Sequence, residues 1–485
     1  MRQPDAMPLS ATLQALQGRL AGEDVVFHAV STDTRSLQPG ELFVALRGQH
    51  FDAHDLIADA CGRGAAAVMV EHPVATTLPQ LQVSDTRIAL GRLAGLWRSR
   101  YDMPVVAVTG SNGKTTVKEM LAAILAQQGA GLVTRGNLNN DIGLPLTLLK
   151  MRSAHHYAVV EMGASRPGEI ECLSRIARPM VAIITNAAPA HLEGFGDIAG
   201  VARAKGEIFS GLEIGGTAII NNDDPRIGLW RVMAGAHPCL SFGIRQAADF
   251  RAAALTPGND GGCVFDMSMP GGQLKISLQL SGRHNVMNAL AAAAAAHALG
   301  LGSAEIKQGL EGMPPVPGRL QPRECIGGLR VIDDTYNANP GSVRAALEVL
   351  KLSGARGQTV LVLGDMGELG NASQALHEQV GRQARVIGIS RVYALGESAC
   401  IAAGSFGKGG AHFSDHQSLI AAINRDLANG VLRQAGTTIL VKGSRNMRME
   451  QVVTALLQGG GEYADIRDSA FPPGLQGKYH VRDGG

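Results

Sequence analysis

At 485 residues the chain exceeds one ordinary core, and a rule of about 150 residues per domain predicts roughly three domains. Its 44 basic and 42 acidic residues leave a net charge of +2, which supports neither a nucleic acid nor an anionic membrane as the main partner. The six cysteines are scattered without a C-x-x-C pair or His/Cys ligand spacing, and runs of about eighteen apolar residues are absent, which excludes a disulfide scaffold, a zinc module and a membrane span. Asp5 and Gln14 interrupt any secretory core, so the expectation is a soluble, cytoplasmic protein with reduced thiols.

In chain order, a helix after Ser10 and short strands such as "ELFVAL" (41–46) predict a first unit of about 100 residues. "DMP" (102–104) breaks the chain before the strand "VVAVTG" (105–110). Buried strands "YAVVEMG" (157–163), "VAIITN" (181–186) and "GTAIINNDD" (216–224) then alternate with helical segments, which predicts a parallel sheet with crossover helices. Ala289 to Leu299 reads as a close-packed helix, and the proline-rich "MPPVPGRL" (313–320) as a hinge. Beyond it "LRVIDD", "TVLVLGD", "RVYALG" and "TTILVKG" predict a second, smaller α/β unit. The resulting division is 1–101, 102–316 and 317–461, with a tail at 462–485.

The chemistry centres on Thr109-Gly110-Ser111-Asn112-Gly113-Lys114-Thr115-Thr116. The full P-loop consensus fails, because Val108 stands where its first glycine belongs. Two glycines nevertheless let the backbone aim amide N–H groups at an anion over a helix N-terminus. Lys114 would add a point charge for the β- and γ-phosphates, and Thr115 a hydroxyl for Mg²⁺. Ligands of open α/β sheets bind at the carboxyl ends of strands. There "VVEMG" puts Glu161, a carboxylate that needs a partner or a metal. "ITNAAPAHLEGFG" adds Asn186 and His191, the histidine otherwise an ordinary loop residue. "GRHNVMNAL" supplies His284, Asn285 and Asn288 at a helix entrance, where Asn285 alternatively acts as an N-cap. Asp333 and Asp334 end a strand before an asparagine-rich turn; Asx-turn chemistry explains Asn337 and Asn339 but not two successive acids. "LVKGSR" (440–445) ends the last strand in a Lys-Gly-Ser turn.

From about residue 25 to 460 the chain resembles the Mur ligase family. The resemblance is carried by "STDTRSLQPGELFVALRGQHFDAHD", "TGSNGKTTVKEM", "GNLNNDIGLPLTLL", "EMGASRPGEI", "NAAPAHLEGFG", "AKGEIF", "HNVMNALAAAA", "GRL", "DDTYNANPGS", "GDMGELG" and "LVKGSR". The shortened phosphate turn is the form this family uses. The resemblance implies three domains: a UDP-precursor domain, a central parallel-sheet ATPase domain and a Rossmann-like C-terminal domain. It also implies an ATP-dependent ligase that joins D-alanyl-D-alanine to UDP-N-acetylmuramoyl tripeptide, acting as a monomer with Mg²⁺. The mechanism it implies is attack of a substrate carboxylate on the γ-phosphate of ATP, releasing ADP, and displacement of phosphate from the resulting acyl phosphate by the amine.

By motif match, Gly110 to Thr116 hold the phosphates, while Thr115, Glu161 and His191 serve Mg²⁺. His284, Asn285, Asn288 and Arg319 fall where the family grips the nucleotide, and Asp334 where it binds ribose. Thr34, Arg35, Gln49, His50 and Phe51 fall in the region resembling the UDP site, with Asn140 and Ser165 near the muramoyl tripeptide. Lys205 matches a position that relatives carry as a carbamate; the plainer reading is a helix lysine that reaches solvent or pairs near Glu207. Ser165-Arg166-Pro167 stands in a stretch that varies among relatives, and the tail matches nothing in the family. Two other readings stand beside this one. A sibling ligase adding diaminopimelate or lysine usually carries Asp-Asn-Pro-Arg, a tetrapeptide this sequence lacks. A P-loop regulatory ATPase would hydrolyse ATP alone.

Overall fold

The computed structural model describes residues 5–48, 50–189, 192–258, 262–325, 328–353, 357–433 and 435–458; the tail from 462 on lies outside the described residues. The chain forms two compact units. One comprises Met1–Val316 with Asn339–Ala345 and Glu368–Ser373, the other Pro317–Ala338, Ala346–Gly367 and Gln374–Gly485.

The first unit contains a nine-stranded sheet. Its parallel part runs Phe250–Pro257, Cys239–Gly243, Thr217–Asn221, Val181–Ile184, Val105–Thr109, Tyr157–Glu161, Gly131–Val133. Val105–Thr109 and Tyr157–Glu161 are buried along their whole length, as their continuous apolar runs demand. From Val105–Thr109 one crossover leads toward the edge strand, while after Tyr157–Glu161 the chain passes to the opposite side. The carboxyl end of Val105–Thr109 is therefore a topological switch point, where such sheets open a ligand crevice.

The helix Lys114–Leu125 leaves that point with Val117, Met120, Leu121, Ile124 and Leu125 on its buried face. It packs against Arg283–Ala298, whose residues Ala289 and Ala291 to Ala296 are fully buried; methyl side chains allow that close approach. Two antiparallel strands extend the sheet, Cys263–Met269 and Gly272–Leu278, and the sequence reading had no place for them. The "GTAIINNDD" strand ends at Asn221 and turns thereafter.

Residues near the N-terminus build a separate five-stranded sheet in the order Arg19–Ala21, Gln80–Gln82, Ala67–Val70, Leu42–Val44, Val30–Ser31, parallel except for its first pair. The helix expected after Ser10 is short, a 3₁₀ turn at Leu9–Thr12 followed by Leu13–Leu16, ended by Gln17 at φ 55°. The helix Thr86–Arg98 starts at an Asp85 carboxylate that accepts from the N–H groups of Arg87 and Ile88. It is sewn to the larger sheet around the Asp102–Pro104 break. The buried Arg98 guanidinium donates to the carbonyls of Ala177 (3.0 Å) and Arg178 (3.3 Å), Trp97 Nε1 donates to Met151 O (3.1 Å), and Arg87 forks onto Asp141.

The second unit is a six-stranded sheet ordered Gln321–Glu324, Arg330–Asp334, Thr438–Lys442, Thr359–Gly364, Arg391–Leu395, Gly410–Phe413. All pairs are parallel except the first. Among the described residues no helix is long and apolar enough to cross a membrane.

Candidate active site

The phosphate turn is built by its neighbours as much as by itself. Gly110 (φ 144°) and Gly113 (φ 85°) hold backbone conformations that side chains resist. A Cβ on Gly110 would lie 1.9 Å from Thr185 Oγ1, and one on Gly113 would lie 2.3 Å from Asn288 Oδ1. The next strand end grips the turn: Asn112 N donates to Asn186 Oδ1 (3.0 Å), Asn186 Nδ2 and Thr185 Oγ1 donate to Asn112 O (3.1 and 2.6 Å), and Ser111 Oγ donates to Ala188 O (3.0 Å). Lys114 Nζ donates to Gly110 O at 2.8 Å. Thr115 and the buried Thr116 follow at the helix N-terminus, where backbone N–H groups lack intrahelical acceptors.

Asn285 is not the N-cap. The helix starts at Arg283 after Gly282, so Asn285 lies inside the first turn, and its Nδ2 donates to Ser281 O (2.8 Å). Asn288 Nδ2 in turn donates to Asn285 Oδ1 (3.1 Å), and this buried chain presents the Asn288 amide to the glycine turn. His284 lies in the same turn.

Glu161, 1% exposed, ends its strand beside the phosphate-turn helix. Its Oε1 is buried without a hydrogen-bond partner, 3.6 Å from the ammonium of the buried Lys118. Among the described residues no cluster of three or more His, Cys, Asp or Glu side chains forms a ready-made metal cage. A buried carboxylate oxygen without a hydrogen-bond partner instead suits a hard cation that keeps waters and phosphate oxygens as its other ligands, as Mg²⁺ does. His191 lies outside the described residues.

Lys205 is 2% exposed near the end of the helix Ile198–Gly206, with Nζ 5.4 Å from the Phe195 ring centroid. Burial, with the Lys114 charge adding to it, pushes its pKa down to about 7. It neither reaches solvent nor takes the Glu207 carboxylate as a hydrogen-bonded partner. That carboxylate accepts from the N–H groups of Gly168 (2.8 Å) and Glu171 (3.3 Å), at the start of the helix Glu169–Ala177.

Profile comparison matches three family descriptions in succession: "Mur ligase family, catalytic domain" at 26–98, "Mur ligase middle domain" at 108–296 and "Mur ligase, glutamate ligase domain" at 318–445. The UDP-N-acetylmuramoyl-tripeptide--D-alanyl-D-alanine ligase of Escherichia coli (strain K12) is 46% identical over 456 residues, covering 94% of this chain and 99% of the relative. The chain belongs to the Mur ligase family. The Bacillus subtilis (strain 168) protein of the same name is 35% identical, covering 92% and 97%. Among solved structures, MurF from Acinetobacter baumannii superimposes with a TM-score of 0.88 at 36% identity, covering 94% of this chain and all of that one. The MurF ligase from Thermotoga maritima, solved in complex with ADP, gives a TM-score of 0.80 at 30% identity, covering 89% and 97%. The chain therefore has the three-domain Mur ligase architecture, with the first two domains in one compact unit.

The remaining residues expected from this family's motifs fall into two groups. In the second unit the Arg319 guanidinium stacks on Tyr336, 4.2 Å from the ring centroid. Asp334 accepts from Lys442 Nζ (2.6 Å) and Leu320 N (3.2 Å); burial pushes its pKa up against the opposing pull of Lys442. In the turn after Val30–Ser31 of the five-stranded sheet, Thr34 is buried, while the exposed Arg35 forks onto Asp33 through Nε (2.9 Å) and Nη2 (2.7 Å). His50 and the 58%-exposed Phe51 lie between Arg47 and Asp52, which form an isolated antiparallel bridge, and Gln49 lies outside the described residues. Asn140 Oδ1 accepts from Gly143 N (2.8 Å), which starts the helix Gly143–Leu148. Ser165 N donates to Glu169 (2.8 Å).

Sequence reasoning missed Thr185 and Lys118. Thr185 lies in "ITNAAPAHLEGFG", but the reading of that stretch rested on Asn186 and His191. Lys118 did carry a signal: it follows Lys114 by one turn, on a helix face otherwise apolar.

Proposed function

We propose that the protein joins D-alanyl-D-alanine to UDP-N-acetylmuramoyl tripeptide with ATP, yielding ADP and phosphate, in cytoplasmic peptidoglycan precursor synthesis. The observation that carries this reading is the near full-length likeness to the UDP-N-acetylmuramoyl-tripeptide--D-alanyl-D-alanine ligases. The substrate carboxylate attacks the γ-phosphate to give an acyl phosphate, and the incoming amine displaces phosphate through a tetrahedral intermediate. Positioning and charge neutralisation are the main catalytic tasks.

Residues 1–101 serve the UDP-precursor, with Thr34, Arg35, Gln49, His50 and Phe51 toward its nucleotide and Asn140 and Ser165 toward its muramoyl peptide. Residues 102–316 serve ATP. Gly110 to Thr116 cradle the phosphates, and the Asn285–Asn288 chain holds the turn open for them. Residues 317–461 add Arg319 toward the nucleotide and Asp334 toward its ribose. Thr115, Glu161 and His191 are the residues that would hold Mg²⁺, which when bound neutralises phosphate charge. Lys205 fits the carbamate reading: a buried amine with a pKa of about 7 is substantially neutral at physiological pH, and the neutral amine is the form that reacts with CO₂.

The test is ligation assayed across UDP-muramoyl di- and tripeptides, with D-alanyl-D-alanine, diaminopimelate, lysine and other amino acids as acceptors. Product is expected with tripeptide and D-alanyl-D-alanine, and phosphate release only when both are present. Turnover of the dipeptide with diaminopimelate or lysine would mark the sibling activity. Equal phosphate release from ATP alone would mark a regulatory ATPase.

A further inference from the structure

The phosphate-turn helix carries a second lysine for which the reaction as derived above has no use. Lys118 is 2% exposed, in a helix face of Val117, Leu121 and Leu125. Burying an ammonium is costly unless it is paired and hydrogen-bonded, and here it is both. Its Nζ donates to Thr134 O (2.7 Å), lies 2.8 Å from Glu119 Oε1, and lies 3.6 Å from Glu161 Oε1. Thr134, itself buried, also accepts from Glu161 N through Oγ1 (3.0 Å). One residue thus fixes both the lysine head and the backbone of the glutamate.

We propose that Lys118 is a positioning residue for Glu161, a permanent internal counter-charge that holds the carboxylate at the strand end while leaving the buried Oε1 without a hydrogen-bond donor, its lone pairs kept for a cation. The 3.6 Å separation gives Coulomb attraction without a hydrogen bond, so Oε1 keeps its acceptor capacity. A direct hydrogen bond would have filled it; no cation at all would have left a buried charge free to turn away. This inference rests on the reading of Glu161 as a cation ligand.

The test measures Mn²⁺ affinity by electron paramagnetic resonance on the full-length protein with ADP bound. Glu161→Gln alone examines the ligand reading: unchanged Mn²⁺ affinity would overturn it, and this inference with it. Given that Glu161→Gln weakens Mn²⁺, Lys118→Met is expected to weaken it about tenfold, as loss of an outer-shell partner does, and Lys118→Arg by a smaller factor. In the Glu161→Gln background Lys118→Met is expected to add nothing, because the residue it serves is gone. Wild-type Mn²⁺ affinity in Lys118→Met would overturn the proposal, as would the same loss in both backgrounds, the mark of a merely structural lysine. Should Lys118→Met alone fail to fold, the Lys118→Met/Glu161→Gln double variant is expected to recover a cooperative thermal transition; a double variant that stays unfolded overturns the pairing.

Discussion

The carboxyl end of the central sheet and the rim of the N-terminal sheet solve different problems with different materials. At the first, Glu161, Lys118 and Lys205 are almost wholly buried, and the turn around Lys114 is fixed by Thr185, Asn186 and Asn288. At the second, the Arg35 side chain is 64% exposed and Phe51 protrudes from its loop. The contrast teaches where preorganisation is required. Phosphoryl chemistry gains from charges set in place before the reaction, whereas recognition of a large precursor tolerates side chains that settle on contact.

Substitutions that break this contrast are expected to differ in size and kind. Lys114→Ala should lower turnover most, by about 10³-fold, with precursor binding nearly intact. Parallel loss of precursor affinity in calorimetry would show that the two regions are not separable. Lys205→Ala should cost about 10²-fold and be partly restored by acetate, which supplies the missing anion; full activity without acetate would discard the carbamate. Arg35→Ala should raise the precursor KM about tenfold with the ATP KM unchanged. Equal effects on both constants would make "STDTR" a structural turn.

The smallest effect sharpens the same contrast through stability. Lys205 has an ordinary pKa of 10.5 when unfolded and about 7 when folded, so between these values the unfolded chain binds more protons. Its contribution therefore makes unfolding free energy rise with pH across that window and flatten below and above it. Urea unfolding in CO₂-free buffer at pH 6.5 and 9 should show this rise in the wild type and a smaller one in Lys205→Met. Identical slopes would refute the depressed lysine.

The parallel strands were legible because full burial writes itself as unbroken Val, Ile and Ala, and the phosphate turn because its spacing is local. The strands Cys263–Met269 and Gly272–Leu278 were overlooked although they alternate, Phe265, Met267, Ile276 and Leu278 being buried between more exposed neighbours, because the sequence reading followed the continuous apolar runs of the parallel strands. The alternative reading of Asn285 as an N-cap fails because the cap position falls on Gly282, three residues earlier in the chain. Lys118 escaped because its meaning depends on Thr134 and Glu161, which only the sheet brings alongside. The sequence break at Asp102–Pro104 suggested a joint, yet the side chains on either side of it span the break.

That last arrangement bears on how such a chain can be recombined. Arg98 and Trp97 donate to carbonyls of Ala177, Arg178 and Met151, so a cut at 102–104 would leave the indole N–H and two of the three guanidinium donors without these acceptors in one piece, and the Ala177 and Arg178 carbonyls without these donors in the other. A chimera that grafts a foreign first domain onto this enzyme must bring matching donors at those positions or transplant the segments around residues 151 and 177–178 as well. Where the profile boundary falls between residues 98 and 108, the physical unit of exchange is larger than the unit of homology.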